Sequence, residues 1–142
     1  MAMNRMLARA LALAAAIAPI AIVATSAGAQ FAGGYRYQSG QDLYTHICQG
    51  CHMPDGKGAE GAGKYPPLAG NVKLQSPLYP VLVMLKGQKA MPSFSDLTDA
   101  QIVEVTAYIR SNFGNSFAGA VTPEQVKALR AQAVRQNALR PG

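Results

Sequence analysis

The chain has 142 residues, with 13 Lys and Arg against seven Asp and Glu, two Cys, two His and no Trp. That length suits one domain of ordinary size and excludes a two-domain enzyme. Two cysteines exclude a disulfide-dense mini-fold and a four-thiolate metal site, and 49% apolar with 14% charged residues argues against disorder.

In chain order, Met1 to Arg9 is a short basic region and Ala10 to Ala24 an apolar run interrupted by Pro19. Ala27-Gly28-Ala29 then offers small residues at the positions a signal peptidase reads, so residues 1–29 are expected to be a signal peptide cleaved before Gln30. An apolar run of about 15 residues is short of the roughly 20 that span a bilayer. The expected product is exported and soluble, without a transmembrane anchor once cleaved, and periplasmic if the source is a Gram-negative bacterium.

Residues 30–38 read as an extended lead-in. Ser39 is positioned to cap a helix from about Gly40 to Cys48, with Asp42 in its first turn. Gly50 to Gly70 carries six glycines and three prolines and reads as loop. A structureless loop of that length is unusual in a small domain unless it wraps something, which hints that a cofactor fills part of the core. Ser76-Pro77 opens a short helix in which Leu78, Val81, Leu82 and Leu85 follow a helical rhythm up to Gly87, with Pro80 able to delay its start. Gly87 to Leu97 is loop again. Thr98-Asp99-Ala100-Gln101 is a capping-box pattern opening a helix to about Asn112, and Thr122-Pro123-Glu124-Gln125 is a second box. The last helix bears Val126, Leu129 and Ala133, with Lys127, Arg130, Arg135 and Arg140 on other faces; packing on the core is its default role, and docking onto a larger subunit is the alternative. No strand-like alternation of useful length occurs, so the expected fold is all-α.

The chemistry concentrates in Cys48-Gln49-Gly50-Cys51-His52, the C-x-x-C-H pattern of covalent haem c attachment. Two thiols about one helical turn apart can each form a thioether with a haem vinyl group, and the adjacent imidazole then lies beneath the iron. Three plainer readings compete. A thioredoxin-like thiol pair wants a βαβ pattern, which is missing. A zinc site would need Cys48, Cys51, His52 and His46 crowded into seven residues, without a second ligand knuckle. A simple disulfide needs neither the His nor the Gly-rich loop. For the opposite iron face, His46 and Met53 lie on the Cys-bearing side and Met84 sits in a helix as core filling. Met91, in a loop between two helices and followed by Pro92, is the better sixth ligand.

These residues give the segment from about Ser39 to Gly114 a close likeness to a known family: it resembles a class I cytochrome c domain. The matching motifs are Gly40-Gln41-Asp42-Leu43-Tyr44 before the haem pentapeptide, Tyr65-Pro66-Pro67-Leu68-Ala69-Gly70, Ala90-Met91-Pro92-Ser93-Phe94, and the helix with Tyr108. The resemblance implies three to five helices wrapped around one haem c, Cys48 and Cys51 as thioether donors, and His52 and Met91 as axial iron ligands. It implies that the Pro66 carbonyl accepts the ring N–H of His52, and that the first and last core helices cross closely at Gly40, Tyr44 and Tyr108. The organisation expected is a leader at 1–29, a lead-in at 30–38, a cytochrome domain at 39–115, and a linker with an extra helix at 116–142, which departs from the minimal family pattern.

An iron with both axial positions filled leaves no site for a substrate, so single-electron transfer is expected rather than catalysis. The Pro-rich turn and the last helix look similar to small cytochromes that accept electrons from dehydrogenases, which implies the electron-accepting subunit of a periplasmic dehydrogenase with a further acceptor downstream. A free shuttle to a terminal oxidase or reductase is the alternative. A haem enzyme or gas sensor with a labile Met ligand is a remote third. Lys57, Lys64, Lys73, Lys86 and Lys89 fall where the haem border is expected, and a basic rim can steer toward an acidic partner. Nucleic acid is not expected, since no basic helix-turn-helix or aromatic–basic interleaving is present.

Overall fold

The computed structural model describes residues 35–61 and 63–138. The expected signal peptide, most of the lead-in, and Leu139 and Arg140 lie outside the described residues. The first helical stretch starts where Ser39 allows it. The Ser39 hydroxyl accepts from the Asp42 amide at 3.1 Å and donates to the Asp42 carboxylate at 2.7 Å, closing the first turn from both sides. Three segments run on from it without a break: α1 (Gly40–Leu43), a π-helical turn (Tyr44–Cys48), and α2 (Gln49–His52). The helix thus passes through Gly50 and ends four residues beyond the expected Cys48. Met53, at φ 63°, turns the chain out of it.

The Gly- and Pro-rich segment that follows holds a small antiparallel hairpin, β1 (Ala59–Glu60) with β2 (Lys64–Tyr65), in register Ala59 to Tyr65 and Glu60 to Lys64. It departs from the all-helical reading. Two-residue strands leave no alternation to detect in a sequence. A 3₁₀ turn (Val72–Gln75) leads into α3 (Leu78–Lys86). Pro80 lies in the first turn of α3, where its missing N–H costs no intrahelical bond, so the start is not delayed. Val81 and Leu85 are buried as the rhythm requires, whereas Leu82 is exposed.

α4 (Asp99–Ser111) opens with the complete capping box: the Thr98 amide donates to Gln101 Oε1 at 2.9 Å, and the Gln101 amide donates to Thr98 Oγ1 at 3.2 Å. α5 (Pro123–Ala138) opens with the same exchange between Thr122 and Gln125. α1 crosses α4, and α5 lies across both α3 and α4. The core holds Leu43, Leu74, Val81, Ile102, Val105 and Val126.

Two arginines fasten the last third of the chain. Arg130, expected on a polar face of α5, is half-buried instead: its Nε and Nη2 both lie 2.9 Å from Asp99 Oδ1, and Nη2 donates to the Leu97 carbonyl at 2.7 Å. Arg110 is 3% exposed and donates to the carbonyls of Leu74, Gln75, Ala118 and Gly119. It ties the 3₁₀ turn to the segment between α4 and α5. Among the described residues, its acceptors are all backbone carbonyls, each of which would lose its partner if the guanidinium were removed.

Candidate haem site

Cys48, Cys51 and His52 stand at i, i+3 and i+4 on the same helix, so their side chains share one side of it. The two thiols are not joined to each other. Burial, with the neighbouring Cys51 second, pushes the Cys48 thiol up to about 12. A redox-active dithiol needs the opposite, a thiol whose pKa is lowered so that thiolate forms. Among the described residues, no three His, Cys, Asp or Glu side chains are grouped to hold a metal ion by themselves.

His52 Nδ1 lies 3.0 Å from the Pro66 carbonyl oxygen. That oxygen can only accept, so the ring proton sits on Nδ1 and the lone pair is left on Nε2, the atom a metal would take. Burial holds the imidazole below its ordinary pKa, only partly offset by the bond to the Pro66 carbonyl.

The loop reaches back to His52 through two glycines. At Gly58, φ +71°, a Cβ would stand 2.1 Å from the Tyr65 carbonyl oxygen and 2.9 Å from the Pro66 carbonyl carbon. At Gly56, φ +70°, it would stand 2.6 Å from the Phe113 ring. The Gly56 carbonyl accepts from the amides of Leu68 at 2.7 Å and Ala69 at 2.9 Å, closing the turn that carries Pro66. Asn115 clamps the same turn from the far side, donating through Nδ2 to the Leu68 carbonyl at 2.9 Å and the Ile109 carbonyl at 2.8 Å.

The helix crossing has the expected participants. A Cβ on Gly40 would lie 2.2 Å from the Glu104 carbonyl oxygen and 2.7 Å from Tyr108 Cβ. Tyr44 and Tyr108 have ring centroids 5.5 Å apart. Sequence reasoning missed Phe113, which joins them with centroids 4.7 Å from Tyr44 and 5.7 Å from Tyr108. It also missed the Tyr44 hydroxyl, which donates to the Met53 carbonyl at 2.6 Å and fixes the chain just past His52. Asn115 was missed as well; Asn after a Gly at a helix end reads as an ordinary stop signal, and nothing local reveals its long reach to Leu68.

Met91 closes a tight turn. The Gln88 amide donates to the Met91 carbonyl at 2.9 Å and the Met91 amide returns the bond at 3.0 Å. The turn is fastened to the end of α3: the Phe94 amide donates to the Met84 carbonyl at 2.7 Å, and the Ser93 hydroxyl to the Leu85 carbonyl at 2.8 Å. Met91 is half-buried against the core, while Met84 is buried within it. His46 is exposed, stacks on Tyr37 at 4.1 Å, and has Nδ1 2.8 Å from the Asp42 carbonyl. It faces outward, away from the core.

All five rim lysines are exposed. Lys57 and Lys64 have carboxylate neighbours, Asp55 at 3.2 Å and Glu60, and Lys86 donates to Gln136 at 2.7 Å. Such exposed pairs hold little energy and trim the local positive field.

Two thiols one turn apart and an imidazole whose Nδ1 is already engaged fit haem c attachment, and Met91 stands half-buried on a separate, fastened turn. Comparison with known proteins agrees. Residues 36–109 match the family described as "Cytochrome C oxidase, cbb3-type, subunit III". The chain is 37% identical over 105 residues to the cytochrome c subunit of a quinone-type alcohol dehydrogenase from Gluconacetobacter polyoxogenes, covering 64% of this chain and 22% of that one. It is 36% identical over 108 residues to the fructose dehydrogenase cytochrome subunit of Gluconobacter japonicus, covering 65% and 22%. It is 35% identical over 114 residues to cytochrome c-552 of Thermus thermophilus, covering 66% and 85%. The chain therefore spans about a fifth of the length of the dehydrogenase subunits and most of the length of the small cytochrome.

Proposed function

This chain belongs to the c-type cytochrome family it matches, with haem c as cofactor and electron transfer as role, and from that premise we propose that it is a single-haem periplasmic carrier that accepts electrons from a dehydrogenase. Cys48 and Cys51 would hold the macrocycle covalently, His52 Nε2 and the Met91 sulfur would bind its iron, and the Pro66 carbonyl would orient the imidazole. The observation that carries the reading is the 3.0 Å contact between His52 Nδ1 and the Pro66 carbonyl. It leaves Nε2 as the free donor and makes the imidazole a stronger one.

Haem c supplies a centre that gains or loses one electron without bond breaking. The chain's part is to keep that exchange inexpensive. The Met91 turn and the Pro66 turn are both fastened by backbone bonds, so neither ligand needs to move when the charge changes. A thioether opposite an imidazole favours the reduced state. Exposed Lys73 and Lys89, which have no carboxylate within ion-pair distance among the described residues, offer positive charge to an acidic partner.

The dehydrogenase assignment draws on the named relatives. A freely diffusing shuttle is the second reading, favoured by the 85% coverage of cytochrome c-552. The exported protein should be red, gain the mass of one haem, and in its ferric form show a sulfur-to-iron charge-transfer band that Met91→Ala abolishes. Absence of added mass, or a band indifferent to Met91→Ala, defeats the site assignment. Co-purification with a dehydrogenase supports the subunit reading. Reduction by a purified dehydrogenase at a rate that falls with ionic strength, without a stable complex, supports the shuttle.

A further inference from the structure

We propose that Lys89 is a positioning residue for the Met91 sulfur: its left-handed backbone is a strained corner of the turn that presents the ligand, and this strain sets how readily the sulfur leaves. The inference rests on Met91 as the sixth ligand.

Three non-glycine residues among those described have positive φ: Met53, Lys89 and Phe113. Two have clear compensation. The Met53 carbonyl accepts from the Tyr44 hydroxyl at 2.6 Å and the Gly56 amide at 3.1 Å. The Phe113 ring packs against Tyr44 and Tyr108. Lys89, at φ 53°, has an exposed side chain with no hydrogen bond or ion pair among the described residues. Its conformation is imposed from outside.

The source is the fastening on either side. Gln88 and Met91 exchange both backbone bonds, leaving two residues to reverse the chain. Positive φ at the first of these and not at the second is a turn in which glycine is the favoured first residue. Gly87, φ +71°, lets the returning strand pass so close that a Cβ there would stand 2.8 Å from the Met91 carbonyl oxygen. Ser93 and Phe94 then fix that strand to α3. The chain has its glycine two positions too early to relieve the corner. Lys89 therefore carries a conformational cost whenever Met91 is held in place, and is released from it when the turn opens.

The test replaces Met91 by imidazole in the ferric holoprotein, read as loss of the sulfur-to-iron band at saturating imidazole, where opening of the turn limits the rate. Lys89→Gly removes the backbone cost, and opening should slow about 5- to 30-fold. Lys89→Ala removes the charge and keeps the cost, so its rate should stay within about twofold of wild type. An unchanged rate in Lys89→Gly overturns the proposal, and so does equal slowing in Lys89→Ala, which would assign the effect to the ammonium group. If the band is absent or survives Met91→Ala, the ligand assignment itself has failed and takes this inference with it. If the band behaves as assigned and Lys89→Gly has no effect, only this inference falls.

Discussion

Replacing Gly58 by Ala should damage both the stability of the protein and the setting of its haem ligand. Two costs combine. The new side chain must occupy φ +71°, which costs an L-residue about 1–2 kcal/mol. Its Cβ would also fall 2.1 Å from the Tyr65 carbonyl oxygen, a backbone atom that cannot swing aside, and forcing such space open costs about 1–3 kcal/mol. Together these give about 2–5 kcal/mol, a large part of a small domain's stability. The escape route moves Tyr65 and Pro66 away from Gly58, and Pro66 carries the carbonyl that receives the His52 proton. A longer bond makes the imidazole a weaker donor to ferric iron, so the reduction potential should rise. Gly61→Ala is the matched control: it lies in the same hairpin, with no atom within 4 Å of a Cβ, and should change stability by less than about 0.5 kcal/mol. Guanidinium unfolding of the ferric holoprotein and a redox titration of both variants provide the measurements. Equal unfolding midpoints would refute the packing argument. A destabilised Gly58→Ala with an unchanged potential would refute the coupling to His52.

Truncation after Ala120 removes Val121, Val126 and Ala133 from the core, and two buried valines alone imply a loss of about 3 kcal/mol or more, measurable by thermal melting; an unchanged melt would mean α5 is dispensable to the fold. Arg110→Met leaves four backbone carbonyls without their donor and should cost about 3 kcal/mol or more by chemical denaturation. Burial first, and then the charges that Cys48, Tyr108 and Asp55 can carry, raise Tyr44 from its ordinary 10 to about 12. The folded state thus keeps a proton that the unfolded chain has given up, and the stability this represents is complete below pH 10 and lost as pH climbs through 12. Unfolding curves across that window should show a downward slope that is shallower in Tyr44→Phe; equal slopes would refute the assignment.

The helix starts were legible because capping is local. Ser39, Thr98 with Gln101, and Thr122 with Gln125 each act within four residues. The contact between Pro66 and His52 was legible only through the family resemblance, since neither residue's neighbours reveal a partner 14 positions away. Gly50 misled the reading of the first helix. Glycine weakens a helix by about 1 kcal/mol, but the thiol-bearing turn needs only two residues beyond it, and tertiary packing outweighs so small a cost. Arg130 was taken for a surface charge because its partner Asp99 is 31 positions away on another helix. Lys89 gave no signal, since a lysine in a polar loop looks ordinary until its φ is known.

The π-helical turn at Tyr44–Cys48 acts as a phase shifter. Gly40 and Tyr44 face α4, while Cys48, Cys51 and His52 share the side proposed to carry the haem, and the wider turn lies where the two demands meet. One residue added to an ordinary α-helix rotates everything downstream by about 100°, and a π turn absorbs such an extra residue with little net rotation. Taking one residue out of this turn should therefore leave the attachment pentapeptide close to its present facing, whereas a further insertion would aim it at other neighbours. For this protein, the stretch just upstream of the cysteines is where a shortening by one is best tolerated and a lengthening least.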